Sequence, residues 1–164
     1  SDIYRCTFVA SDMDVNLNGR SFLITGANSG LGKATAQEIA SRGGTVHMVC
    51  RNKGRAEAAQ KEIMELSKNQ NVHIHIVDMS SARQVWEFAQ SFSQRNDLHV
   101  LINNAGCMVN QRELTEEGVE KNFATNTLGT YILTTAFLPA LKKAKDPRVV
   151  KLNGLWVPIT HWPL

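Results

Sequence analysis

An α/β fold built on a doubly wound parallel sheet is predicted by three observations. Short apolar runs rich in β-branched residues alternate with longer stretches whose apolar positions recur every three or four residues. The first apolar run ends in a glycine turn, TGANSGLG (Thr25 to Gly32), that opens straight into a helical pattern. Each run is separated from the next by a helical stretch, and strands joined by such right-handed crossovers pair in parallel with helices on both faces.

The elements follow in order. SFLITGA (Ser21 to Ala27) reads as a buried strand, and the helix after it stacks Leu31, Thr35 and Ile39 four apart until Gly43 stops it. TVHMVC (Thr45 to Cys50) is β-rich, and the next helix places Ala56, Ala59, Ile63 and Leu66 on one stripe. NVHIHIVD is a third strand ending at Asp78. Ser81 and Gln84 stand at capping-box spacing ahead of a stripe of Val85, Phe88, Ala89 and Phe92, with Trp86 assigned to packing. LHVLINNAG is a fourth strand leading into a loop. The longest helical pattern then runs from Thr115 to about Lys143, with Gly118, Asn126 and Gly129 as weak points and Pro139 as a kink near its end. RVVKL is a short fifth strand.

With 164 residues the chain suits one domain, and its 43% apolar and 20% charged residues are ordinary globular values. The formal charge of +3 is spread along the sequence, which leaves no electrostatic footprint for nucleic acid or a membrane surface. Cys6, Cys50 and Cys107 are odd in number and lack CxxC spacing, so free thiols in a reducing compartment fit better than disulfides or zinc. No stretch approaches the roughly 18 apolar residues of a membrane span, and the first residues carry no signal-peptide core. A soluble cytoplasmic protein is the expectation. His73 and His75 share a strand face, but without a third ligand at a sensible spacing no metal site is assigned.

The glycine turn sits where a strand ends and a helix begins, a place where backbone N–H groups and the helix dipole hold a pyrophosphate. Gly26 suits the tight turn, Gly30 a close backbone approach to phosphate, and Gly32 the packing of helix on strand. A nucleotide-hydrolysing P-loop is excluded: Ala27 stands five before Gly32, and Lys33 is followed by Ala34 rather than Ser or Thr. The spacing is G-x-x-x-G-x-G rather than G-x-G-x-x-G, and a turn without a ligand remains an alternative at this point. Asp78 is placed to accept from an adenine amino group or to cap a helix. NNAG (Asn103 to Gly106) closes the fourth strand beside the same crevice, and NTLG puts Asn126 in an apolar helix, where a buried amide needs partners.

TGANSGLG, NNAG and NTLG, in this order and spacing, resemble the short-chain dehydrogenase/reductase family, over about residues 17 to 150, with a texture similar to its retinol-dehydrogenase-like members. The resemblance implies a Rossmann-like dinucleotide-binding domain at residues 17–152, truncated so that its sheet is incomplete after the fifth strand, and preceded by an extension at 1–16. It implies a nicotinamide dinucleotide held by Gly26, Asn28, Ser29, Gly30, Leu31, Gly32, Arg51, Asp78, Met79, Asn104, Ala105 and Gly106. Where an acidic residue would select NAD, the second strand ends in Cys50 and Arg51, which suits the 2′-phosphate of NADP(H) over NAD(H), with Asn52 or Arg55 as helpers; a solvated turn residue is the alternative for Arg51. Of the family's catalytic tetrad only Asn126 finds a match: Asn153 and Gly154 follow the fifth strand in place of Ser, and Tyr4 and Tyr131 are followed four residues on by Phe8 and Thr135 rather than Lys. The expectation is an NADP(H)-dependent alcohol/carbonyl oxidoreductase in a C-terminally truncated form without turnover, with 153–164 as a tail foreign to the fold. The alternative is a non-catalytic product that binds a full-length sibling or another protein through the helix at 115–143 and the tail.

Overall fold

The computed structural model describes residues 15–152, so the expected tail and nearly all of the expected extension lie outside the described residues. Its elements are β1 (Ser21–Thr25), α1 (Gly30–Ser41), β2 (Thr45–Cys50), α2 (Lys53–Ser67), β3 (Val72–Ile76), α3 (Ala82–Arg95) and β4 (Val100–Asn103). They continue with α4 (Lys121–Phe123), a π-helical stretch (Ala124–Gly129), α5 (Thr130–Leu141) and β5 (Arg148–Lys151). The five strands form one sheet in the order β3-β2-β1-β4-β5, every pair parallel. The Rossmann-like doubly wound sheet is therefore present, and among the described residues it ends at β5.

Strand alternation divides the core into two layers. On one face Phe22, Ile24, Val46, Met48, Val72, Val100 and Ile102 meet Ala36, Ile39 and Ala40 of α1 and Ala56, Ala59 and Ile63 of α2. On the other, Leu23, Val49 and Leu101 meet Val85, Ala89 and Phe92 of α3 and Leu133, Phe137 and Leu141 of α5. Phe137 is fully buried, with its ring edge-on to Phe92 at 5.3 Å and to Phe88 at 6.1 Å.

Five local expectations are corrected. Leu31 is 74% exposed, because the buried stripe of α1 runs through Gly32, Ala36, Ile39 and Ala40, one position round the helix. Leu66 is also exposed: the face of α2 turns toward Met64, which packs on the core, and Gln60, whose amide donates to Val72 O at 2.6 Å. The helix expected from Thr115 begins only at Lys121. Thr115 and Gly118, the latter at φ +76, make a turn instead, Leu114 and Glu120 pair as an antiparallel bridge, and the Glu120 carboxylate accepts from Asn122 N and Phe123 N to start the helix. The capping box of α3 forms only in part. Ser81 Oγ accepts from Gln84 N at 3.4 Å, but Gln84 Oε1 accepts from Asp78 N rather than returning to Ser81. Trp86, expected to pack, is half exposed.

Candidate functional site

The strand order reverses at β1, whose neighbours β2 and β4 send their connections to opposite faces, and this opens a crevice at the carboxyl ends of β1 and β4. Gly26 makes the turn out of β1 at φ +67, and a Cβ there would stand 3.0 Å from Ala105 Cα. Gly32 is buried beneath it, where a Cβ would lie 2.5 Å from Gly26 O and overlap the Asn104 amide. Both positions exclude a side chain. Gly30, at φ +54, faces open space.

The opposite wall is stitched to β1 by one hydroxyl. Thr25 Oγ1 accepts from Asn104 N at 3.0 Å and Ala105 N at 2.9 Å, while Asn104 Nδ2 donates to Thr25 O and Gly26 O at 2.9 and 3.3 Å. Asn104 therefore ties the two lips of the crevice together. At its floor, a Cβ on Gly129 would overlap the Met79 carbonyl oxygen, so the missing side chain lets the helix lie against the backbone after β3.

Two cavities meet at the NNAG backbone. The smaller, about 380 Å³, is lined by Gly26, Asn28, Ser29, Leu31, Arg51, Asp78, Met79, Asn104, Ala105 and Gly106. These are the expected cofactor residues, apart from Gly30 and the buried Gly32. Val49, Cys50, Val77, Cys107 and Thr125 join them without having been expected there. The larger, about 650 Å³, shares Asn104 to Cys107 and adds Met108, Asn122, Phe123, Asn126 and Lys151. Leu31 belongs to this site through its exposure: it faces the smaller cavity rather than the core.

The helix termini differ in one telling way. Side chains occupy the first turns of α2 (Asn52), α3 (Ser81 and Glu117) and α4 (Glu120). At α1, Ser29 makes no side-chain cap and the first turn holds no acidic residue. Its N–H groups are thus left for a group in the crevice, and an anion is the partner their dipole favours. The residues present fit a dinucleotide pyrophosphate.

Other expected residues are placed with more specific partners. Asp78 lines the crevice, but one carboxylate oxygen already accepts from Ser80 N at 2.9 Å and Ser80 Oγ at 2.7 Å. Arg51 stands exposed at the mouth, whereas Asn52, expected as its helper, spends its side chain capping Arg55 N at 2.9 Å. Asn126 accepts from Cys107 N and donates to Cys107 O, both at 2.8 Å, so its amide holds the loop after NNAG. Burial pushes the Cys50 thiol up, partly offset by hydrogen bonds from the Ala27 and Asn28 backbone, which keeps it protonated and unreactive.

The histidines resolve into a packing cluster. The β2–β3 register brings His47 beside His73, and His47 Nδ1 lies 3.0 Å from His75 Nε2, edge-on to Phe92. Burial, then the neighbouring histidines, lowers His47 to about 3 and His75 to about 4, so both are neutral near pH 7. Among the described residues no cluster of three or more His, Cys, Asp or Glu is arranged for a metal ion, and no helix is long and apolar enough to cross a membrane.

The family model for short chain dehydrogenase matches residues 20–155. The chain belongs to that family. It is 61% identical over 147 residues to dehydrogenase/reductase SDR family member 12 of Bos taurus, covering 90% of this chain and 46% of that protein. Retinol dehydrogenase 12 of Bos taurus is 41% identical over 143 residues, covering 87% and 45%. Among solved structures, a short chain dehydrogenase from Shigella flexneri 2a str. 301 complexed with NADP superposes with a TM-score of 0.71 at 26% identity, covering 83% of this chain and 59% of that one. One from Escherichia coli CFT073 complexed with NADPH gives 0.71 at 25% identity, covering 84% and 60%. The chain thus spans about half the length of the curated relatives it matches.

Proposed function

We propose that this chain forms the NADP(H)-binding part of an alcohol/carbonyl oxidoreductase. The observation that carries the reading is the N-terminus of α1, left without a side-chain cap and opening onto a glycine-lined crevice. The two relatives solved with NADP and NADPH support the same class of ligand. In this reading the α1 N–H groups hold the pyrophosphate, Asp78 and Met79 border the adenine, and Arg51 pairs the 2′-phosphate. The nicotinamide end lies toward Asn104, Ala105 and Gly106. The dinucleotide supplies hydride to, or takes it from, a substrate carbon.

A proton must also pass at the substrate oxygen. In these 164 residues no Tyr-x-x-x-Lys occurs, and Tyr131 is exposed on α5. The polypeptide of this length therefore binds NADP(H) without turning over carbonyls, since loss of a general acid lowers rates roughly 100- to 10,000-fold. Calorimetry with NADPH and NADH, beside NADPH oxidation over a panel of carbonyls, tests both parts. Binding of NADPH without oxidation is expected. No binding of either nucleotide overturns the cofactor reading, and oxidation above solution background overturns the second part. Arg51→Asp is expected to weaken NADPH by roughly ten- to one-hundred-fold, the worth of a charge-assisted hydrogen bond, and to reverse the preference toward NADH.

A second reading, a partner-binding surface for a second or longer copy of the chain, is favoured by Tyr131, Thr135 and Leu138, exposed at helical spacing along α5. Sedimentation of the purified chain tests it: a monomer at all concentrations, unchanged by the longer relative, overturns it.

A further inference from the structure

Asn126 is one of two asparagines that grip the loop after NNAG. Four residues earlier, Asn122 holds Val109 in the same two-armed way: Val109 N donates to Asn122 Oδ1 at 2.7 Å, and Asn122 Nδ2 donates to Val109 O at 2.9 Å. Asn126 makes the matching pair to Cys107. Residues four apart lie on one helix face, and alternate residues of an extended segment turn the same edge outward. The two amides therefore work as two rungs of a short ladder in which the helix replaces a neighbouring strand. The consequence falls on the residue between the rungs: Met108 is 67% exposed and lines the larger cavity near Phe123. The Cys107 thiol points back toward Asn122 Oδ1 at 3.6 Å and Lys121 O at 3.8 Å.

We propose that Asn122 is a positioning residue for the nicotinamide end of the crevice, acting through Cys107, Met108 and Val109. The inference rests on the reading that the dinucleotide occupies this crevice. Asn122 fixes the outer end of the segment whose inner end is the NNAG backbone, so loss of its amide frees the wall of the larger cavity and leaves the adenosine side intact. Asn126 alone pins one point, about which a loop can pivot. With Asn122 there are two, and the direction of the segment is set.

The test compares the wild-type chain with Asn122→Leu, which removes both arms while keeping the branched outline of the side chain, and Asn122→Asp, which keeps only the acceptor for Val109 N. NADPH and 2′,5′-ADP, which lacks the nicotinamide half, are titrated against each, and the emission of bound NADPH is recorded. The expected result is roughly five- to thirty-fold weaker NADPH binding in Asn122→Leu, the loss of one or two hydrogen bonds, with 2′,5′-ADP affinity unchanged within about twofold. The nicotinamide emission enhancement falls with it, and Asn122→Asp lies between. NADPH protection of Cys107 against alkylation, followed by peptide mapping, is expected to diminish in the same order. Equal weakening of both nucleotides, or wild-type NADPH binding and emission in both variants, overturns the proposal. If Asn122→Leu does not fold, Asn122→Asp decides between the same outcomes. A wild-type chain that binds neither nucleotide overturns the cofactor reading, and the positioning role with it, before any variant is made.

Discussion

Acid should destabilise this protein well above the pH at which carboxylates titrate. His47 is 5% exposed between β3 and Phe92, and its pKa is lowered from 6.5 to about 3; His75 is lowered to about 4. A base whose folded pKa lies below its unfolded value binds more protons when unfolded, so stability is complete above 6.5 and declines as pH falls from there toward the folded pKa. At pH 5.0 holding His47 neutral costs about 2 kcal/mol relative to pH 7.5, from about 1.36 kcal/mol for each pH unit below 6.5. His75 is only partly buried, so solvent screens its share, and the pair together contribute about 2–4 kcal/mol. Against a typical domain stability of about 5–15 kcal/mol this is a large fraction. The carboxyls of Glu117, Glu120 and Asp146, held low by hydrogen bonds, contribute stability that is complete above their unfolded values of 4.5, 4.5 and 3.8 and declines as pH falls below them, so they contribute little to a change between pH 7.5 and 5.0. Urea unfolding at pH 7.5, 6.5, 5.5 and 5.0 measures the decline, and His47→Leu with His75→Phe should flatten it. A change below about 1 kcal/mol in the wild type would refute the reasoning, because it would mean that the imidazoles protonate in place.

Other expectations come from single contacts. Phe137→Ala, at a fully buried ring, should lower stability by about 3–5 kcal/mol in chemical denaturation. Gly129→Val would press a side chain into the Met79 carbonyl and should cost about 1–3 kcal/mol or more, seen as a lower Tm. Thr25→Val leaves Asn104 N and Ala105 N without their acceptor and should cost about 1–3 kcal/mol while weakening NADPH in the same calorimetric assay. Lys33→Ala breaks a 2.6 Å ion pair with Glu62, a half-exposed residue, and should change stability by less than about 1 kcal/mol.

The sequence made the strands and most of the crevice legible because both leave local marks. β1, β2 and β4 are short, largely apolar runs, and Gly26 and Gly32 occupy positions where a side chain has no room. Helix phase was harder. The α1 stripe is set by Gly32, which carries no hydropathy, so Leu31 reads as core although it faces the cavity. The start of α4 was readable in principle, since Gly118 breaks the helical pattern and Glu120 stands three residues before Phe123, but the apolar periodicity beyond it masks both. His47 had no local mark at all. Its place beside His73 and His75 depends on the β2–β3 register, which is settled by contacts far apart in the chain. Asn122 was missed for the same reason: its partner, Val109, lies in a loop without periodicity.

The hydroxyl of Thr25 carries a consequence for assembly. Its N–H partners lie 79 and 80 positions downstream, so the two lips of the crevice join only where the chain has closed the loop from β1 to β4. Closing so wide a span costs more loop entropy than a local contact, so the crevice depends on non-local pairing. A ligand that recognises only the joined crevice would hold its two lips together and shift the equilibrium toward the folded chain.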